Sequence, residues 1–183
     1  DTKGQWGNEN TSPNPQEDRS IRRFSCEKKW LETNLPVQIL RLPGIYGPGR
    51  SAFESLLKGT TKMIDKPGQV FSRIHVDDIA GAVLFLINLY SQGKNPSVVN
   101  VADNLPTNSL EVIKFAAKLT NSSIPSTVPF DIAKETMSPM ALSFWQENRK
   151  VDNNLLCKKL GYSLIHPDFK SGLKNCFSKL ELN

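Results

Sequence analysis

A chain of 183 residues, 38% of them apolar, is long enough to bury one domain-sized core. Its 23 basic and 18 acidic residues are scattered, with no basic run longer than two and none interleaved with aromatics, which argues against a nucleic-acid partner. The apolar run 79–89 is too short for a bilayer, the start lacks a signal-peptide pattern, and three isolated cysteines fit a reducing cytoplasm.

Residues 1–18 read as a long loop in which Trp6 is the single large apolar residue. A helix is expected over 20–32, with Ile21, Phe24, Trp30 and Leu31 on one face and Pro36 beyond its end. Residues 37–42 read as a strand buried on both faces, as in a parallel sheet. Pro43, Gly44, Gly47, Pro48 and Gly49 then forbid a regular continuation. From Ser51 a helix is expected, with Ala52, Phe53, Leu56 and Leu57 as its stripe and Gly59 as its stop. Strand, Gly-rich loop and helix in this order are how an open α/β sheet presents a ligand crevice. The glycine order G-x-x-G-x-G is neither the dinucleotide fingerprint nor a phosphate loop, and Pro43 and Pro48 lack the N–H groups a phosphate nest needs. A stiff turn that lets backbone approach a ligand is the better reading.

After a turn at Lys66-Pro67-Gly68, residues 70–76 read as a strand. Val70, Ile74 and Val76 fall on one face; Phe71, Arg73 and His75 fall on the other. Asp77 or Asp78 is placed to cap a helix over 78–90, apolar nearly all round and so expected to be buried. A strand over 97–102 and a helix over 109–119, opened by an Asn108/Glu111 capping box, follow. The pattern weakens over 120–147, where Pro125, Pro129 and Pro139 break any long element. Two short helices close the chain, one over 153–160 ended by Gly161, the other opened by Pro167. His75-x-Asp77 has metal-ligand spacing, but the other histidine, His166, is distant in sequence. A strand-end His and a helix-capping Asp account for the motif, and no metal is expected.

The element order is α/β, with too few strands for a complete doubly wound sheet. At this point the residues point to a family. RLPGIYGPGR, RIHVDDIAGAVLFLI and VVNVADNLPTNSLEVIKFAAKLT, in that order, resemble the C-terminal half of NAD-dependent epimerase/dehydratase proteins, which are extended short-chain dehydrogenases/reductases. The ending NRKVDNNLLCKKLGYSLIHPDFKSGL is similar to the tail of an atypical, YeeZ-like branch. The fold implied is a partial NAD(P)-binding, Rossmann-like doubly wound sheet with a small α/β substrate-binding lobe. Residues 1–183 would form the C-terminal part of such a domain, 1–18 a loop remnant of it, with the N-terminal Gly-rich half absent.

The resemblance implies NAD or NADP as cofactor and hydride-transfer chemistry of the epimerase, dehydratase or reductase kind. The substrate would be small and polar or phosphorylated, as in nucleoside-diphosphate-sugar enzymes. Aligned on Glu27, the family's Y-x-x-x-K pair falls on Arg19 and Arg23, so no phenol stands at the proton-donating position. Pro43, Gly44 and Ile45 match the stretch that approaches the nicotinamide; typical sugar-nucleotide enzymes carry Asn where Gly44 stands. Arg50, Arg73, His75 and Arg149 are the candidate substrate-binding residues. A parent enzyme, a non-catalytic NAD(P)-sensing module and an inactive fragment all fit; this chain alone is expected to be inactive and to have exposed sheet edges that favour a homodimer.

Overall fold

A computed structural model describes residues 2–180. The chain runs β1 (Trp6–Gly7), α1 (Asp18–Leu31), β2 (Ile39–Arg41), β3 (Gly44–Tyr46), α2 (Ala52–Leu57), β4 (Met63–Asp65), β5 (Arg73–His75) and α3 (Val76–Ser91). It continues through β6 (Val98–Asn100), α4 (Ser109–Leu119), β7 (Thr127–Pro129), α5 (Phe130–Ala133), α6 (Pro139–Gln146), β8 (Lys150–Val151) and α7 (Phe169–Leu180). The class is α/β, and every strand pair is parallel: β1 with β8, β2 with β6, β3 with β5, and β4 with β7. No helix among the described residues is long and apolar enough to cross a membrane.

The two central pairs are joined by backbone hydrogen bonds. The register Ile39↔Val98 to Arg41↔Asn100 is extended by the Val101 N–H donating to the Arg41 carbonyl at 3.0 Å. Two residues on, the Asp103 N–H donates to the Arg73 carbonyl at 2.8 Å, so residues 98–103 run beside β2 and then beside β5. Helix α3 is the crossover between β5 and β6, and a parallel arrangement requires one.

Apolar side chains collect in two cores, one on each side of these strands. Phe53 and Leu56 of α2, Val112 and Ala116 of α4, and Phe169 and Leu173 of α7 bury themselves around Tyr46. Ala82, Leu86 and Leu89 of α3 pack with Ile74, Val99, Val101 and Leu156.

Several sequence expectations change in three dimensions. The strand over 37–42 shortens to Ile39–Arg41 and is half-buried, because among the described residues it pairs on one side alone, with β6. The Gly/Pro stretch does continue as a strand. Pro43 ends the pairing with β6, and Gly44–Tyr46 takes β5 as its new partner. The strand expected over 70–76 is confined to Arg73–His75, and Val76 already begins α3.

The cap of α3 is neither Asp77 nor Asp78 but His75, whose Nδ1 accepts from the Asp77 N–H at 3.2 Å. Helix α3 is buried along one side only; Val83, Leu84, Ile87 and Tyr90 are exposed. Helix α1 has no buried residue, so the face carrying Ile21, Trp30 and Leu31 is open. The weak segment holds β7, α5, a 3₁₀ turn and α6. The helix expected over 153–160 is a single π-turn at Leu155–Lys159. As expected, a helix starts after Ser51, and Asn108 caps α4, its side chain accepting from the N–H groups of Leu110 and Glu111. The full capping box is formed by Ser51 and Glu54 on α2, where the sequence reading does not place one.

Candidate functional site

A cleft of about 290 Å³ lies beside the paired strands β3 and β5, between α2, α4 and α7. It takes Ile45 and Tyr46 from β3 and Arg73 from the amino end of β5. Tyr46, Arg50 and Arg73 supply its polar groups; Ile45, Val112 and Phe169 are among its apolar lining residues. The sequence builds this locally. Pro43 releases β3 from β6, and glycine at 47 lets the chain pass over α3, since a Cβ there would lie 2.5 Å from Val76 Cγ2. Gly47 and Arg50 then close a tight turn through paired backbone hydrogen bonds, and the Ser51/Glu54 box starts α2.

Arg73 is held rigidly. Its Nη1 donates to the carbonyls of Phe71 at 2.9 Å and Thr107 at 2.8 Å. Burial lowers its pKa, and Asp103 counters that shift by favouring the charged form. Asp103 is itself buried: its Oδ1 accepts from the Leu105 N–H at 3.1 Å, while Oδ2 has no hydrogen-bond partner among the described residues. Burial pushes its pKa up to about 7, against the opposing pull of the Leu105 N–H and of Arg73. Tyr46 is raised by burial and then by the charge of Asp103, so its phenol stays protonated across the physiological range. The cleft thus has a fixed cation in Arg73 and a neutral phenol in Tyr46. Asp103, buried outside the cleft lining, acts on both through its charge.

No protein-family model and no curated protein matches the sequence. Among solved structures, a conserved protein of unknown function from Silicibacter pomeroyi is 39% identical with a TM-score of 0.87; the match covers 97% of this chain and 61% of that one. A candidate NAD-dependent epimerase/dehydratase from Methylobacillus flagellatus is 24% identical, with a TM-score of 0.73 and coverage of 97% and 59%. Human epimerase family protein SDR39U1, solved with NADPH, is 18% identical, with a TM-score of 0.77 and coverage of 96% and 60%. The chain has the epimerase/dehydratase fold. It spans about 60% of the length of these structures.

Within this epimerase/dehydratase fold the residues singled out from sequence separate into groups. Gly44 is paired with Arg73 across the strands, and Ile45, Arg50 and Arg73 share the cleft, with Pro43 leading into them. His75 is not at the cleft surface. It is fully buried beneath Tyr46, whose ring meets its own edge-to-face at 5.1 Å. Arg149 lies outside the cleft lining and pairs with Glu147 at 2.5 Å. Arg19 and Arg23 are exposed on α1, also outside the cleft lining. Sequence reading assigned no site role to Tyr46 or Asp103 and set His166 aside as distant in sequence. The burial of Tyr46 and Asp103 follows from strand pairings 29 or more positions away, which no local pattern reports.

Proposed function

We propose that this chain is the substrate-side part of an NAD(P)-linked oxidoreductase of the epimerase/dehydratase kind, acting on a small polar or phosphorylated substrate. The observation that carries the reading is Arg50 and Arg73 at one cleft, Arg73 opening β5 and Arg50 lying between its partner strand β3 and α2. Arg73 keeps its Nε and Nη2 edge for a ligand anion, because both of its hydrogen bonds leave through Nη1. Arg50 is exposed at the rim and has no ion pair among the described residues.

Pro43, Gly44 and Ile45 are the residues that would meet the nicotinamide end of a dinucleotide. Ile45 is partly exposed, and Gly44 keeps the backbone bare, which suits a flat ring. The sequence has no G-x-G-x-x-G to hold the pyrophosphate. A bound nicotinamide would supply the hydride. Arg19 and Arg23 in place of the Tyr and Lys favour a second reading, a module that binds NAD(P) or its ligand without turnover.

Calorimetric titration with NADH, NADPH and a nucleoside-diphosphate sugar tests the proposal. Saturable sugar-nucleotide binding, weakened at least tenfold by Arg50→Ala, is the expected outcome. Failure of all three ligands to bind overturns it. Binding of a nicotinamide cofactor without turnover of any added substrate would favour the module.

A further inference from the structure

The two histidines of the sequence meet at the start of α3. His75 ends β5, Asp77 stands in the first turn of the helix, and His166 arrives from the segment ahead of α7. Asp77 Oδ2 lies 3.5 Å from His75 Nδ1 and 3.3 Å from His166 Nε2. One ligand atom from each residue falls within 4.8 Å of the others. Nitrogen and oxygen donors bound to tetrahedral zinc at about 2.0–2.2 Å stand roughly 3.3–3.5 Å apart. We propose that His75, Asp77 and His166 form a binding site for a zinc-class divalent cation, separate from the cleft.

The surroundings support the donor set. The ring nitrogens not facing Asp77 have partners of their own: His166 Nδ1 is 3.2 Å from Ser171 Oγ, and His75 Nε2 is 3.7 Å from Cys176 Sγ. Such outer contacts fix the orientation of ligating imidazoles. The His166 backbone is pinned as well, because Asp78 accepts from the N–H groups of Ile165 at 2.6 Å and His166 at 2.9 Å. The positive end of α3 opposes a cation, and the carboxylates of Asp77 and Asp78 offset it.

Both imidazoles are nearly closed to solvent while the Asp77 side chain is 36% exposed, so the cation enters past Asp77. Coordination takes the His75 Nδ1 lone pair from the Asp77 N–H. That N–H lies in the first helical turn, where no intrahelical acceptor exists, and it passes to solvent. The bound cation would clamp α3 to the segment that leads into α7. Imidazole donors favour zinc, and calcium or magnesium would be poor occupants.

The test uses chelator-treated protein, Zn²⁺ in calorimetry and Co²⁺ in visible absorption. Expected are one ion per chain, the d–d absorption of tetrahedral cobalt, and a melting temperature that rises with Zn²⁺. Asp77→Asn and His166→Gln should each lower the affinity at least tenfold. Asp77→Asn is partly exposed and nearly isosteric, so it decides the matter if His166→Gln fails to fold. No saturable binding to the wild type, or undiminished binding to a folded Asp77→Asn, overturns the proposal.

Discussion

Asp103 shows what burial does to a single carboxyl. Its pKa of about 7 stands well above the ordinary carboxylate value of about 4, because desolvation outweighs the Leu105 N–H and the Arg73 charge. An unfolded chain releases this proton near pH 4 while the folded chain holds it to about 7, so its contribution to stability falls as pH rises through that window. Relative to the wild type, Asp103→Asn should gain about 2–4 kcal/mol between pH 4 and pH 8, read by urea unfolding at each pH. A difference that stays flat with pH would show that the carboxyl is ionised throughout. Gly172 is a second case at this scale. A Cβ there would lie 2.1 Å from Tyr46 Oη and 2.7 Å from two of its ring atoms, and Tyr46 is buried and cannot retreat. Gly172→Ala should cost about 1–3 kcal/mol in thermal unfolding and narrow the cleft that Tyr46 lines.

At the scale of elements, capping decides where helices begin and what they hold. The Ser51/Glu54 box starts α2 immediately after Arg50, so Ser51→Ala should cost about 1 kcal/mol and loosen the rim of the cleft. Asp78 sits where a helix cap is expected, yet it reaches out of its helix. Its two oxygens take the N–H groups of Ile165 and His166, and the Tyr162 hydroxyl lies 3.4 Å from Oδ1. Asp78→Ala would leave two N–H groups without their acceptor and should cost about 2–4 kcal/mol. Amide exchange should then rise first over residues 162–168. Unchanged protection there would mean that α7 holds the segment without Asp78.

At the scale of the molecule, the apolar surface is unevenly covered. No residue of α1 is buried, and α3 leaves Leu84 62% and Ile87 56% exposed. Exposed apolar faces of this kind mark interaction surfaces. At the same time β2 offers an edge with no partner among the described residues. The chain is expected to self-associate, with a sedimentation coefficient that rises with concentration and falls when Leu84 and Ile87 are both replaced by Ser. A concentration-independent monomer that melts cooperatively would refute this.

Local chemistry in the sequence determined the α/β order, the caps at Ser51 and Asn108, the turn at Lys66-Pro67-Gly68 and the Gly/Pro junction that places Ile45 and Arg50 at the cleft. Those features depend on residues within a few positions of each other, so periodicity and turn residues report them. Pairing decided the rest. Gly44–Tyr46 is a strand because β5 lies beside it, α3 has an open face because packing covers only one side, and His75 caps a helix because the strand ends there. His166 reaches Asp77 across 89 positions of sequence, and Asp103 acquires its raised pKa from strands brought over it. Burial and long-range contact set these properties, and a linear pattern carries neither.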